Sequence, residues 1–264
     1  TKVLPPSAGL VNPILNVGKM RNTGIEFEAN WREQKGDLGY SVGMNLSTTK
    51  NEVISLADEG QVLYGEGLKF GSEHFPTQTR VGKPIGAFYL YKTDGIFQTD
   101  GEASGYVNAD GDKYQPYADA GDIKFVDTNG DGVINDDDKV YLGSGISSLE
   151  VNFNLSLDYK GFDLSAVIGS VWGHKVYNGN KYFYEGRNSG SNFLASSLES
   201  WTPSNTNTSV PRAIYNDPNG NLKESDRFLE KGDFIRLRQL QLGYSLPKEL
   251  ISKVSVKEKK HTVS

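Results

Sequence analysis

Apolar and polar residues alternate one by one over long stretches of this chain. In TGIEFEANWRE, Ile25, Phe27, Ala29 and Trp31 fall on one side of an extended backbone, and Glu26, Glu28, Asn30 and Arg32 on the other. After the turn-forming QKGD comes LGYSVGMNLSTTK, where Leu38, Tyr40, Val42, Met44 and Leu46 share one face and Gly39, Ser41, Gly43, Asn45 and Ser47 the opposite one. Successive side chains of a strand point to opposite sides, so period two predicts strands with two unlike faces. The short glycine-containing join predicts a hairpin. A second hairpin is predicted in LEVNFNLSLDYKGFDLSAVIGSVWG. There Leu149, Val151, Phe153, Leu155, Leu157 and Tyr159 alternate with polar residues, Gly161 allows the turn, and Phe162, Leu164, Ala166 and Ile168 continue the pattern. In DFIRLRQLQLGYSLP, Leu240, Leu242, Tyr244 and Leu246 share a face, but Ile235 and Leu237 are out of phase. A bulge near Arg238 or Gln239 would restore the phase. A shorter strand is predicted at Ile85 to Tyr91.

The long runs cover about ten to thirteen residues, whereas globular strands average about five or six and a tilted membrane-crossing strand needs about nine to eleven. The joins EQKGD and YKG are short. The stretches from Asn51 to Pro84, Thr93 to Ser148 and Gly173 to Gly232 are long and polar. Short turns at one end and long loops at the other are the layout of outer-membrane barrels. The expected fold class is therefore all-β, an antiparallel transmembrane β-barrel with long extracellular loops. The alternative is a soluble, secreted carbohydrate-binding β-sandwich with one wet face and a structural calcium, since such a sandwich also alternates.

Composition changes this picture little. The 264 residues carry a net charge of −5, with 30 Gly, 14 Tyr, 12 Phe and no Cys. A mildly acidic chain lacks the basic face that nucleic acid needs. Without cysteine there are no disulfides, thiolate metal sites or cysteine nucleophiles. No apolar run approaches the length of a membrane helix, which barrels do not contain in any event.

One stretch carries metal-site spacing. In DTNGDGVINDDD, Asp127, Asn129 and Asp131 stand at alternate positions, Val133 offers a backbone carbonyl, and Asp138 closes a twelve-residue window. This is the calcium-loop pattern, with Gly132 at the sharp turn and Asp where Glu usually closes. GDIKFV before it and KVYLGSGI after it have β-like rather than helical spacing, so no helix pair is available to open as in a calcium sensor. Calcium is thus a candidate cofactor acting as a loop staple. The other reading is an acidic turn with no metal.

Enzyme signals are thin. His74, His174 and His261 are far apart, no G-x-S-x-G elbow occurs, and GEGLKFG lacks the strand and helix of a phosphate loop. The chain reads as a non-enzyme. VWGHKVYNGNKYFYEGRN sets aromatic rings beside amides, as a site for a ring-shaped polar ligand would. Tyr182 and Tyr184 are weak substrate-binding candidates there, while Trp172 at a strand end suits an interfacial girdle.

Several segments together resemble the SusC/RagA-type TonB-dependent outer-membrane transporters of Bacteroidetes. NVGKMRNTGIEFEANW, with Asn22, Gly24 and Glu26, resembles the opening of a family strand. AGDIKFVDTNGDGVINDDDKVYLGS resembles the family's acidic loop. SWTPSNTNTSVPRA resembles its W-T-P…N…PR segment through Trp201, Pro203, Asn205, Pro211 and Arg212. FIRLRQLQLGYSLPKEL resembles its penultimate strand. The resemblance implies one partial domain over residues 1–264, the C-terminal segment of a large barrel, with the plug domain and early strands absent. It implies import of oligosaccharides, peptides or similar oligomeric nutrients in the outer membrane of a Gram-negative, Bacteroidetes-like bacterium. The implied partners are a SusD-type surface lipoprotein and the TonB complex, the latter contacted through the missing N-terminal part. In that reading Glu26, Glu28, Asn152, Asn154 and Asp158 face the lumen, and Ile25, Phe27, Val151 and Phe153 face lipid. An unclosed wall leaves edges unpaired in lipid, so the chain alone is expected not to transport.

Overall fold

The structure, a computed structural model, describes residues 18–65, 75–185 and 192–247. In chain order the strands are β1 (Gly18–Thr23), β2 (Glu26–Lys35), β3 (Leu38–Thr48), β4 (Lys50–Leu56), β5 (Leu63–Tyr64), β6 (Thr77–Thr79), β7 (Ala87–Leu90), β8 (Thr93–Ile96), β9 (Ile123–Phe125), β10 (Val140–Gly143), β11 (Leu149–Tyr159), β12 (Phe162–Trp172), β13 (Lys175–Tyr177), β14 (Leu229–Lys231) and β15 (Phe234–Tyr244). Two short helices, α1 (Asp100–Gly105) and α2 (Gly179–Glu185), lie between them. His74, His261 and most of the GEGLKFG segment fall outside the described residues. Contacts gather the chain into two compact units.

The described residues of the strand unit are 24–49, 147–172 and 233–247. Its five strands run in the order β15-β12-β11-β3-β2, and every neighbouring pair is antiparallel. The register lines up the alternation of all five strands. Trp31, Val42, Leu155, Ala166 and Leu240 form one cross-sheet row, and Ala29, Met44, Phe153, Ile168 and Leu237 form the next. On the other face, Arg32, Ser41, Ser156, Ser165 and Gln241 form a row, as do Glu28, Asn45, Asn152, Gly169 and Arg236. A one-residue slip of any strand would mix the faces.

The bulge expected in the last strand is present. Gln239 pairs with Val167 but Leu237 pairs with Ile168, which leaves Arg238 as the extra residue. It brings Ile235 and Leu237 onto the face of Leu240 and Leu242. The Arg238 side chain lies where a Cβ on Gly169 would stand. Gly24 is required by another close approach: a Cβ there would stand 1.9 Å from the Thr48 carbonyl oxygen.

The apolar face is largely open. Trp31 is 64% exposed and Leu242 73%. At the turn end Leu38, Tyr159, Phe162 and Tyr244 stand in one row, with the Phe162 and Tyr244 rings 4.4 Å apart between centroids. Trp172 closes the opposite end of β12. The ten steps from Leu149 to Tyr159 span about 34 Å along the strand, or about 24–28 Å in height at the 35–45° tilt of a membrane barrel. That matches an apolar band about 25 Å tall with aromatic rims. Among the described residues, β2 and β15 each have a strand neighbour on one side only.

The loop unit is built differently. Its strands are short, in the sheets β1-β4, β10-β7-β6-β5, β8-β9 and β13-β14. All four residues of β7 are buried, so solvent is on neither face. Tyr91, Ile96, Ile123, Phe125 and Trp201 form one apolar cluster, with Ala120 and Ile134 packed against it. Phe97, Ala103 and Ala118 form a second, joined by Tyr106.

Candidate functional site

The acidic loop closes between β9 and β10 of the loop unit. No helix of two or more turns flanks it, as the sequence indicates. A single 3₁₀ turn over Asp136–Asp138 is capped by Asn135. Its carboxylates fold the loop around themselves. Asp127 accepts backbone N–H groups from Gly130 at 2.7 Å and Gly132 at 2.9 Å. Asn129 accepts from Asp131 and donates to its carboxylate, and Asp131 accepts from Val133. Asp138 is fully buried and accepts from Thr128 at 2.7 Å and Asn135 at 2.8 Å. Partial burial pushes the Asp127 carboxyl up, but the N–H groups of Gly132, Gly130 and Asp131 outweigh it and hold the group below the usual carboxylate range. Gly130 and Gly132 both have positive φ, 78° and 88°, a backbone shape glycine adopts without strain.

The calcium candidates therefore share one loop but not one focus. Among the described residues no three His, Cys, Asp or Glu side chains gather closely enough to hold a metal ion. Val133 is 57% exposed.

The loop is tied firmly at its far end. Lys139, 6% exposed, donates to Glu224 at 2.5 Å and lies 2.9 Å from Asp136. Burial alone would lower the Lys139 pKa, yet the hydrogen bonds to Glu224 and Asp136 raise it. Tyr91 donates its hydroxyl to Asp136 at 2.8 Å, and its own pKa is raised by burial and then by Asp136. Ile134 seats against the apolar cluster.

Two of the segments quoted above, the acidic one and SWTPSNTNTSVPRA, meet here. Arg212 grips Asp122 with two bonds, 2.9 Å from Nε and 2.8 Å from Nη2, and reaches Asp119 at 3.1 Å. Trp201 donates Nε1–H to Gln98 at 3.1 Å. Both press on Gly121, where a Cβ would stand 2.5 Å from the Trp201 ring and 2.7 Å from Arg212. Asp122 is fully buried, so this bidentate pair is a desolvated one.

A buried amide cluster completes the arrangement, and the sequence carried no signal for it. β9 pairs with β8 along one edge. Along the other, Gln115, Asn219 and Asn221 take the place of a strand. Gln115 accepts from Phe125 N–H and donates to the Ile123 carbonyl, both at 2.8 Å, while Asn221 accepts from Ile123 N–H at 2.7 Å. Asn219 donates to the Ile123 carbonyl, and Asn221 donates to Asp122. Every backbone polar group buried at this edge finds a partner, as burial requires. Isolated Gln and Asn residues in loops have no periodicity by which to be read.

Of the two aromatic candidates, Tyr182 on α2 packs edge-on against Phe228 at 5.7 Å and T-shaped against Phe183 at 5.3 Å, so its ring serves the fold. Tyr184 is 40% exposed. A cleft of about 310 Å³ opens elsewhere in the loop unit, lined by Tyr114, Pro116, Tyr117, Ile134, Pro218 and Lys223 among others.

No family model matches the chain. Over 96% of its length it is 28% identical to the TonB-dependent receptor P3 of Formosa agariphila, and over 87% it is 23% identical to the TonB-dependent receptor SusC of Bacteroides thetaiotaomicron. A solved structure of the RagAB peptide transporter superposes on 94% of the chain with a TM-score of 0.64 and 25% identity.

The chain is related to the SusC/RagA-type TonB-dependent receptors. It spans about a quarter of the length of these proteins, 24% of P3 and 21% of SusC. The matched RagAB chain is likewise covered over 25%. The all-β antiparallel fold expected from alternation is that of these barrel transporters. The relatives are receptors and transporters rather than enzymes.

Proposed function

We propose that this chain forms part of the wall and the outer loops of a TonB-dependent outer-membrane importer of oligosaccharides or similar oligomeric nutrients, working with a SusD-type surface lipoprotein. The observation that carries the reading is the register of the strand unit. Five strands place an open apolar face on one side and a polar face on the other, over a height that fits a bilayer. In this reading Glu28, Asn152, Asn154 and Asp158 line the lumen, and Phe27, Val151 and Phe153 meet lipid. Residues 1–264 form one stretch of a larger barrel, whose other strands pair with the outer edges of β2 and β15. TonB supplies the energy through parts of the barrel protein beyond this stretch. A related solved structure is that of the RagAB peptide transporter, so peptides are the alternative cargo. Calcium enters as a weak staple of the Asp127–Asp138 loop, drawing on Asp127, Asn129, Asp131, Asp138 and the Val133 carbonyl.

The test is fractionation of the producing bacterium, followed by growth on a panel of oligosaccharides and peptides with the gene intact or deleted. Recovery in the outer membrane, with growth lost on one class of oligomer, supports the proposal. A protein recovered in the soluble fraction would sink it and favour a secreted β-sandwich.

A further inference from the structure

We propose that the cleft beside Lys223 binds a carboxylate carried on a flat or ring-shaped ligand unit, with the carboxylate on the Lys223 ammonium and the flat face on Tyr117. The cleft, about 310 Å³, is at the small end of the roughly 300–1,000 Å³ range of ligand sites. Its walls offer Tyr114, Pro116, Tyr117, Ile134 and Pro218 as apolar surface. Tyr117 is 71% exposed, an aromatic ring left open to a ligand face.

The amide and carboxylate groups of the cleft are already engaged. Gln115 and Asn219 turn their amides to Ile123 and to each other. Asp217 accepts the backbone N–H groups of Asn221 and Leu222 at 2.8 and 3.0 Å. Lys223 has no hydrogen-bonded or ion-paired carboxylate among the described residues. Its ammonium rests over the rings of Tyr91 and Phe125, 5.5 and 5.3 Å from their centroids. Lys139 provides an internal control. It lies over the same Tyr91 ring at 5.2 Å, but also holds Glu224 and Asp136 directly. Two lysines thus share one ring, and only one has its counter-ions. A partly desolvated ammonium without a direct partner favours an incoming anion. Asp217 also lines the cleft and opposes that anion. Glu224 and Asp136 are taken up by Lys139. Modest affinity with clear discrimination by charge is the expected balance.

The experiment is calorimetric titration of the purified protein in detergent, which reads binding independently of import. The probes are a galacturonate trimer, its methyl ester, and a tripeptide with a free or an amidated C-terminus. We expect at least one free acid to bind tenfold or more tighter than its capped form, and the arm that binds identifies the source of the carboxylate. Lys223→Gln should remove the preference and Lys223→Arg should keep it. Tyr117→Ala, at an exposed position that folding does not need, should weaken acid and capped probe alike and leave their ratio unchanged. Equal binding of acid and capped probes would overturn the proposal, as would a preference that survives Lys223→Gln or an absence of binding by both acids.

Discussion

The strand unit and the loop unit keep their order by opposite means. In the strand unit the backbone is satisfied by neighbouring strands and the side chains mostly stand open, with Leu240 64% exposed. In the loop unit the side chains satisfy the backbone, and Phe125 and Asp122 are completely buried. One part relies on a medium to cover its apolar face. The other carries a closed interior with its own polar scaffolding. Substitutions should therefore act by location rather than by residue type.

The largest expected effect is at Phe125. Phe125→Ala leaves a cavity in the cluster of Tyr91, Ile123 and Trp201 and should cost about 3–5 kcal/mol. Urea unfolding followed through the loop unit checks this, and a loss below about 1 kcal/mol would mean the cluster is not a packed core. Next, Leu240→Arg on the open face should cost about 2–4 kcal/mol for folding into vesicles when the site lies near the bilayer midplane, while an arginine at the neighbouring polar-face Gln239 should cost little. Equal costs at the two positions would break the two-faced reading. Third, Gln115→Ala leaves Phe125 N–H without its acceptor and takes one of two donors from the Ile123 carbonyl, and should cost about 1–3 kcal/mol. Hydrogen exchange should quicken at Phe125 while the β11 amides remain protected.

Smaller effects should appear at the acidic loop. The Asp127 and Asp136 pKa values are lowered in the folded protein, below their unfolded value near 3.8. Their stabilising contribution is thus fully present above that value and is lost as pH falls through the lower, folded pKa. Protection of the Gly130 and Gly132 amides, relative to unstructured amides at the same pH, should fall on acidification below about pH 4, and Asp127→Asn should blunt that change. Calcium should act least. Because the carboxylates do not converge on one point, binding should be in the 10⁻⁴–10⁻³ M class of loose extracellular sites. A micromolar Kd by calorimetry would reveal a preformed cage and overturn this expectation.

The two units also differ in how far they could be read in advance. The hairpins at Gly36 and Gly161, the β15 bulge and the sharing of faces follow from period two, because each strand has a wet and an apolar side. Local patterning reaches as far as the two-residue repeat. The strand expected at Ile85 to Tyr91 is present as β7, with both its faces buried. The loop's spacing was legible as a motif, and its lack of flanking helices was too. Its inward-turned carboxylates were not, because the spacing of ligand-type residues does not say whether backbone N–H groups will claim them first. Arg212 was visible as part of a motif, but its partner Asp122 lies ninety residues away.

What the sequence determined by itself is the strand unit: strand length, direction, two-faced character and turn positions, all consequences of the 3.4 Å rise and alternating side chains of extended backbone. What only the tertiary structure decided is the loop unit. The edge of β9 closed by Gln115, Asn219 and Asn221, the Trp201–Arg212 clamp on Gly121, and the pair of lysines over Tyr91 join residues far apart in the chain. Such contacts have no period, because each is selected by the need to satisfy one buried polar group or fill one space, and that need exists only once the chain has folded.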